Sequence, residues 1–432
     1  MKKLLGLALA AAVVISAVPA KAEIFKNLQT KGELEVYGVM TQNVTDAQTS
    51  TDDNYRNTMN RLTFGATWDM LDDLHANITA VKNDRYWGQA AQDLNTIQTT
   101  VLVQEANIVL DDLFGFKAKI GRSFYGNEGD IIVYYGNEHM VEGLPTSSVD
   151  LASFVRQYTV FGMDNWAEVT YAKTNAGTLT QLDDAHNFWA FKNVAKLTSD
   201  MDLGIFAYNK RVGNSTYQAN GENLWIFDVN THGKASDLSW AVELAGNVGY
   251  ADVAAGGQSY KGVAAKADLA YNAKINSIGL TPRLGFAYGS GDTSTGSIDK
   301  NFKAINPNYQ PGYIYGKSNG NLFSGVAALA PFANTNSVSN RQVWNIGLDI
   351  DATEKFSVIA DWYNFWANNV AATFNGQRNI GSELDLTANY AYASNVDVGM
   401  YAARFDVGGL VKSQVANTNP IFKIGSYVSV RF

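Results

Sequence analysis

The strictest constraint on this chain is a two-residue rhythm that returns between links of alternating length. In "RQVWNIGLDID" Trp344, Ile346, Leu348 and Ile350 fall on one face, and Asn345, Gly347, Asp349 and Asp351 on the other. "SWAVELAGNVG" and "GSELDLTANYA" repeat the pattern, with Trp240, Val242 and Leu244 opposed to Glu243, and Leu384 and Leu386 opposed to Glu383 and Asp385. Successive side chains leave a pleated backbone on opposite sides, so each segment reads as a strand with one apolar and one polar face. Most such segments run roughly 9 to 13 residues. That is near the ~9 to 11 a tilted strand needs to cross a bilayer and well beyond the ~5 or 6 of an ordinary strand.

The links sharpen this reading. Tight ones are predicted at Leu71 to Asp73, Asp111 to Gly115, Met163 to Asn165, Leu197 to Asp200, Gly233 to Ser236, Ala273 to Ser277, Asp351 to Glu354 and Tyr392 to Asn395. Between them lie long polar links at 45–59, 85–100, 125–153, 174–185, 213–222, 249–259, 291–340, 368–379 and 409–419. Short turns on one side and long loops on the other describe an all-β fold, a transmembrane antiparallel β-barrel. The segments number about eighteen, with sixteen as the alternative, and both termini fall on the short-turn, periplasmic side. Segments 154–163 and 186–197 alternate poorly, so their boundaries are the loosest.

The ends place the chain. Met1-Lys2-Lys3, an apolar run from Leu4 to Val18 and Ala20-Lys21-Ala22 form a signal peptide over residues 1–22, leaving 23–432 as a single barrel domain. Its removal takes away Lys2, Lys3 and Lys21 and no acid, so the formal charge moves from -8 to -11. A net acidic chain argues against nucleic-acid binding. With no cysteine there is neither a disulfide framework nor a thiolate metal site. No later window approaches the ~20 apolar residues of a spanning helix, so entry into a membrane requires a closed barrel.

Signal peptide, hairpins of this kind and a final strand "IGSYVSVRF" ending in Phe432 resemble a Gram-negative outer-membrane porin. A narrower stretch, "AKIGRSFYGNEGD" at 118–130, is similar to the Gly-Arg-Gln...Tyr-Gly run of alginate-export and related eighteen-stranded porins, with Ser123 in place of Gln. The resemblance implies location in the outer membrane, contact with its lipid and lipopolysaccharide, a terminal strand at Phe432 read by the barrel-assembly machinery, and a possible homotrimer. It also implies a passive diffusion channel for small hydrophilic solutes or ions, with no cofactor. The alternatives are a substrate-selective polysaccharide or oligosaccharide channel and a non-conducting surface adhesin.

If the apolar faces meet lipid, the polar faces line a lumen. That assigns Arg61, Glu105, Lys117, Lys119, Glu243 and Lys266 to the pore wall, together with Asp268, Arg283, Arg341, Asp349, Asp361, Glu383 and Asp385. Lys423, Arg431, Asp69, Glu168 and Asp228 share the parity. So many charges on a dry core face would cost several kcal/mol each, hence the face is wet. By the porin resemblance the third loop folds inward as a constriction, which makes Glu128, Asp130, Glu138, Glu142 and Asp150 its candidate acids. Loop 291–340 is an equal candidate for covering the mouth. Arg122, Arg156 and Arg404 carry outward parity and read either as rim residues or as turned inward by a bulge.

No enzyme is expected. "GKSNG" at 316–320 matches the spacing of a nucleophile elbow but lacks its strand-turn-helix frame. The four histidines, His75, His139, His186 and His232, form no close pair for a metal.

Overall fold

A computed structural model describes residues 26–49, 53–84, 87, 101–175, 186–213, 221–251, 257–293, 296–333 and 336–432. The expected signal peptide lies outside the described residues. Eighteen long strands form one antiparallel barrel. In chain order they are β1 (Lys26–Gln42), β2 (Tyr55–Leu71), β3 (Leu74–Asp84), β4 (Val101–Leu113), β5 (Phe116–Ser123), β6 (Val149–Val160), β7 (Met163–Asn175), β8 (His186–Thr198) and β9 (Met201–Val212). They continue as β10 (Glu222–Ala235), β11 (Leu238–Ala251), β12 (Val263–Tyr271), β13 (Ile278–Gly289), β14 (Arg341–Asp351), β15 (Phe356–Ala367), β16 (Asn379–Ala393), β17 (Val396–Val407) and β18 (Ile421–Arg431).

Each strand pairs with its sequence neighbour, and β18 closes on β1 from Glu33 opposite Arg431 to Gln42 opposite Phe422. The last residue completes the seam. Phe432 exchanges backbone hydrogen bonds with Gly32, and its ring lies over that glycine, where a side chain would collide with it. Closure leaves no edge strand, so every backbone group at bilayer depth has a partner. No helix among the described residues is long and apolar enough to cross a membrane; the crossing elements are strands.

The alternation sets the two faces. Leu244, Ile346, Leu284, Leu386 and Met400 are between 48 and 59% exposed on the outside. Their neighbours of opposite parity, among them Ala245, Asp385 and Tyr401, turn inward and are buried. The turn expected at Met163 to Asn165 falls instead at Phe161 and Gly162, because β6 continues to Val160. The poorly alternating 186–197 segment is the regular strand β8.

The apolar core sits inside the barrel, beneath the long loops. Ile131, Ile132 and Val133 of the third loop and Ile314, Tyr315, Phe323 and Phe332 of the 296–333 loop pack on inward residues such as Phe365, Phe405 and Ile421. These wall residues lie at the long-loop ends of β15, β17 and β18, so that end of the lumen is built to receive chain. A second apolar cluster joins the inward residues Tyr37, Val39, Met59 and Tyr401 to Leu144 of the third loop.

Candidate functional site

Both candidate loops enter the lumen, and they do so laced together. Tyr134 N–H donates to the Asn306 carbonyl at 2.8 Å, and Asn306 Nδ2 returns a bond to the Tyr134 carbonyl at 2.6 Å. Gly129 N–H donates to Asn308 Oδ1 at 2.9 Å, Gln310 Nε2 to Glu138 Oε2 at 2.7 Å, and Asn321 Nδ2 to Glu142 Oε2 at 2.8 Å. The acids Glu138 and Glu142 therefore bind the neighbouring loop, and burial moves the Glu138 carboxyl upward from its ordinary pKa.

Three clusters on the wall pin this double loop. On β1 and β2, Arg61 is fully buried, with Nε 2.6 Å from Glu35 and Nη1 donating to the carbonyls of Glu138, Leu144 and Pro145 at 3.0, 3.2 and 3.2 Å. His139 Nδ1 lies 2.7 Å from the other oxygen of Glu35, a contact that raises the imidazole pKa against the opposing effect of burial. On β18, Lys423 donates to the carbonyls of Tyr313 and Lys317 at 2.8 and 3.0 Å and stands 3.1 Å from Glu142.

The third cluster holds a single helical turn, Gly312–Gly316, in "PGYIYG". The first N–H groups of any helix lack intrahelical partners. Here wall carboxylates supply them: Glu383 accepts from Ile314 and Tyr315 at 2.6 and 2.9 Å, and Asp385 accepts from Tyr313 at 3.1 Å. Gly312 permits the approach, because its φ is +81° and a Cβ there would lie 2.6 Å from Glu383 Oε2. Tyr313 stacks on Tyr401 at 4.3 Å and Tyr315 on Phe365 at 4.1 Å. Arg341 donates to the Tyr315 hydroxyl at 2.8 Å and to the Ser337 carbonyl at 2.7 Å.

Six of the residues expected on an open pore wall are buried instead: Arg61, Arg341, Glu383, Asp385 and Lys423 lie beneath the loops, where they serve as clamps, and Asp228 is buried as well. The reason is long-range. Their parity points them inward as expected, but chain from the two loops reaches them before solvent does. Asp150 is also displaced from its expected place: it belongs to β6, points outward at the long-loop end and holds Arg122 in a bidentate pair at 2.9 Å. Arg122 is therefore an outer-wall rim residue, as is Arg404, which pairs with Asp406. Arg156 lies over the ring of Phe116. Glu128 is exposed, and Asp130 accepts from the backbone of Ile132 and Val133 at 2.7 and 3.1 Å.

The clamps gather on β1, β2, β14, β16 and β18; on the opposite wall Tyr125 and Tyr135 of the third loop pack against Phe188 of β8, while part of the β3 to β8 wall stays open. A cavity of ≈ 770 Å³ there is lined by His75, Asn77, Lys117, Lys119, Glu168 and Lys192, among others. Lys117 bonds to Asp111 at 2.8 Å. Around this wall, residues directly across from one another run Glu168, Lys192, Phe206 and Asp228, and one step along Asn230, Glu243 and Lys266. Lys192 stands 3.9 Å from Glu168 and 4.4 Å from the Tyr125 ring centroid. Lys266 reaches Asp268 at 3.7 Å and the Gly129 carbonyl at 3.3 Å. Further on, Arg283 binds Asp349 at 2.6 Å and Asp361 at 3.1 Å. Glu105 accepts from Thr79 at 2.7 Å.

Lys192, Tyr313 and Lys317 were not singled out by sequence reasoning. The signal for Tyr313 was available in "PGYIYG", an aromatic pair between glycines in a long loop. Lys192 was hidden by the weak alternation of its strand. Among the described residues no group of histidines and carboxylates has metal-binding geometry.

Comparison with solved structures places this fold among porin barrels. OccK11 (OpdR) of Pseudomonas aeruginosa aligns with TM-score 0.60 and 10% identity over 94% of this chain and 97% of that one. OccAB2 of Acinetobacter baumannii aligns with TM-score 0.59 and 10% identity over 95% and 99%. OccK2 (OpdF) of Pseudomonas aeruginosa, solved in complex with glucuronate, aligns with TM-score 0.53 and 11% identity over 95% and 97%. A search of curated proteins finds no match. The family model for alginate export matches residues 169–421, which leaves out the 118–130 stretch that first suggested the likeness but takes in β8 to β17 and the laced 296–333 loop. On that match, which covers more than half of its length, the chain belongs to the alginate export family.

Proposed function

We propose that this protein is an outer-membrane channel that lets small hydrophilic solutes diffuse passively down one side of a partly filled barrel. The observation that carries the reading is the asymmetric filling of the lumen: two laced loops are clamped to β1, β2, β14, β16 and β18, while inward residues of β3 to β8 border an open cavity. Eighteen strands enclose room for an aqueous path. Loops held inside it make the channel narrower and more selective than a general porin. Charged side chains bordering that cavity, Lys117, Lys119, Glu168 and Lys192, together with His75, give a passing solute partners that can replace its water. No bond is broken, and the concentration gradient supplies the driving force.

The same reading takes residues 1–22 as the export signal, places the termini and short turns in the periplasm, sets Arg122 and Arg404 against lipopolysaccharide, and makes Phe432 the residue read during assembly. A trimer is its possible higher order. Family membership favours a second reading, a channel for an acidic oligosaccharide. The two are separated by single-channel recording of the refolded protein in planar bilayers, with reversal potential under a salt gradient. Stable ohmic steps unaffected by uronate oligomers support the small-solute channel, steps blocked by them support the second, and a folded barrel that passes no current refutes both.

A further inference from the structure

The outer wall from β11 to β15 is not a uniform lipid-facing surface. It carries an apolar groove of ≈ 610 Å³. One bank is a row of directly paired outward residues, Trp240, Leu269, Leu284, Ile346 and Trp362. On the other bank Phe286 and Trp344 meet at a centroid distance of 4.6 Å. Ala267 lies between Val242 and Phe286 in that second row, and its small side chain makes the depression.

We propose that this groove is a binding site for one acyl chain of a phospholipid in the leaflet on the short-turn side. Three features select that occupant. The bordering side chains are almost all apolar, and the surface belongs to a wall that crosses the bilayer, so the surrounding medium is lipid. The row spans four inter-strand steps, about 19 Å at ~4.8 Å each. With strands tilted by ~40° it climbs about 12 Å, close to the depth of one leaflet in a hydrocarbon core of ~30 Å.

The direction of the climb names the leaflet. Trp240 is the third residue of β11 after the Ser236–Asp237 turn, whereas Trp362 is six residues beyond the start of β15. The groove therefore opens near the short-turn boundary, where an indole suits the headgroup level, and ends near mid-membrane. A chain lying in it touches protein on three sides, and an empty groove would forfeit those dispersion contacts.

The inference is independent of whether the lumen conducts, and its test requires no current. The folded protein, reconstituted with dimyristoylphosphatidylethanolamine and released gently into detergent, is examined by native mass spectrometry. The expected result is about one retained lipid per barrel for the wild type and for Ala265→Trp, an outward change on β12 outside the groove, and none for Ala267→Trp, which fills it. Equal retention in all three overturns the proposal. So does a dimer that Ala267→Trp abolishes, which would make the occupant a second copy of this chain. Should Ala267→Trp fail to fold, Trp344→Ala removes part of one bank, and undiminished retention there overturns the proposal equally.

Discussion

Replacing Arg61 with methionine should release the third loop from the wall without opening the barrel. Methionine fills much of the same space but donates nothing, leaving the carbonyls of Glu138, Leu144 and Pro145 and one oxygen of Glu35 without their partner. Removing one member of a buried ion pair costs about 3 to 5 kcal/mol, and a hydrogen bond from a charged donor is worth about 1.5 to 3 kcal/mol. His139 remains on Glu35 and offsets part of the loss. The docked loop should therefore lose about 3 kcal/mol, roughly a hundredfold in its equilibrium against the released form. Hydrogen exchange reads this directly. The amides of Glu138, Glu142 and Leu144, bonded to the carbonyls of Pro145, Lys317 and Val141, should exchange about a hundredfold faster, while those of β9 to β11 stay unchanged. If the loop amides keep their wild-type rates, Arg61 is not a clamp and the asymmetric filling has another cause.

Three further outcomes are expected. Glu383→Gln turns one acceptor for the Gly312–Gly316 turn into a donor facing backbone N–H groups, so exchange at Ile314 and Tyr315 should rise at least tenfold, by about 1.4 kcal/mol or more, with little change in barrel melting. Because the His139 pKa is raised by Glu35, the contact is fully present below the unfolded value near 6.5 and fades as pH rises through the higher folded value. Loop amides, corrected for intrinsic exchange, should loosen from pH 6 to pH 9, and His139→Gln should flatten that profile even with Arg61 and Glu128 nearby. Phe114 sits in the left-handed region at φ +55° with 92% of its surface exposed. Phe114→Asn suits that backbone, so the barrel should gain about 0.5 to 1 kcal/mol in unfolding free energy, read as a higher urea midpoint, and an unchanged midpoint would remove the strain argument.

The fold was legible because its information is local. Alternation in "RQVWNIGLDID" assigns a strand and a face to each residue without reference to anything distant, and the turn chemistry around Asp72 and Gly115 sets the hairpins. Closure of β18 on β1 is seen in the structure, from Glu33 opposite Arg431 to Gln42 opposite Phe422. What the lumen holds was not legible. Arg61, Glu383 and Lys117 share the same inward parity, yet Arg61 and Glu383 grip loops while Lys117 borders the cavity. That difference rests on contacts such as Arg61 to Glu138 across 77 residues and Lys423 to Tyr313 across 110. A period of two says which side of the sheet a charge occupies, but only the folded path of the loops decides whether it meets water or backbone carbonyls.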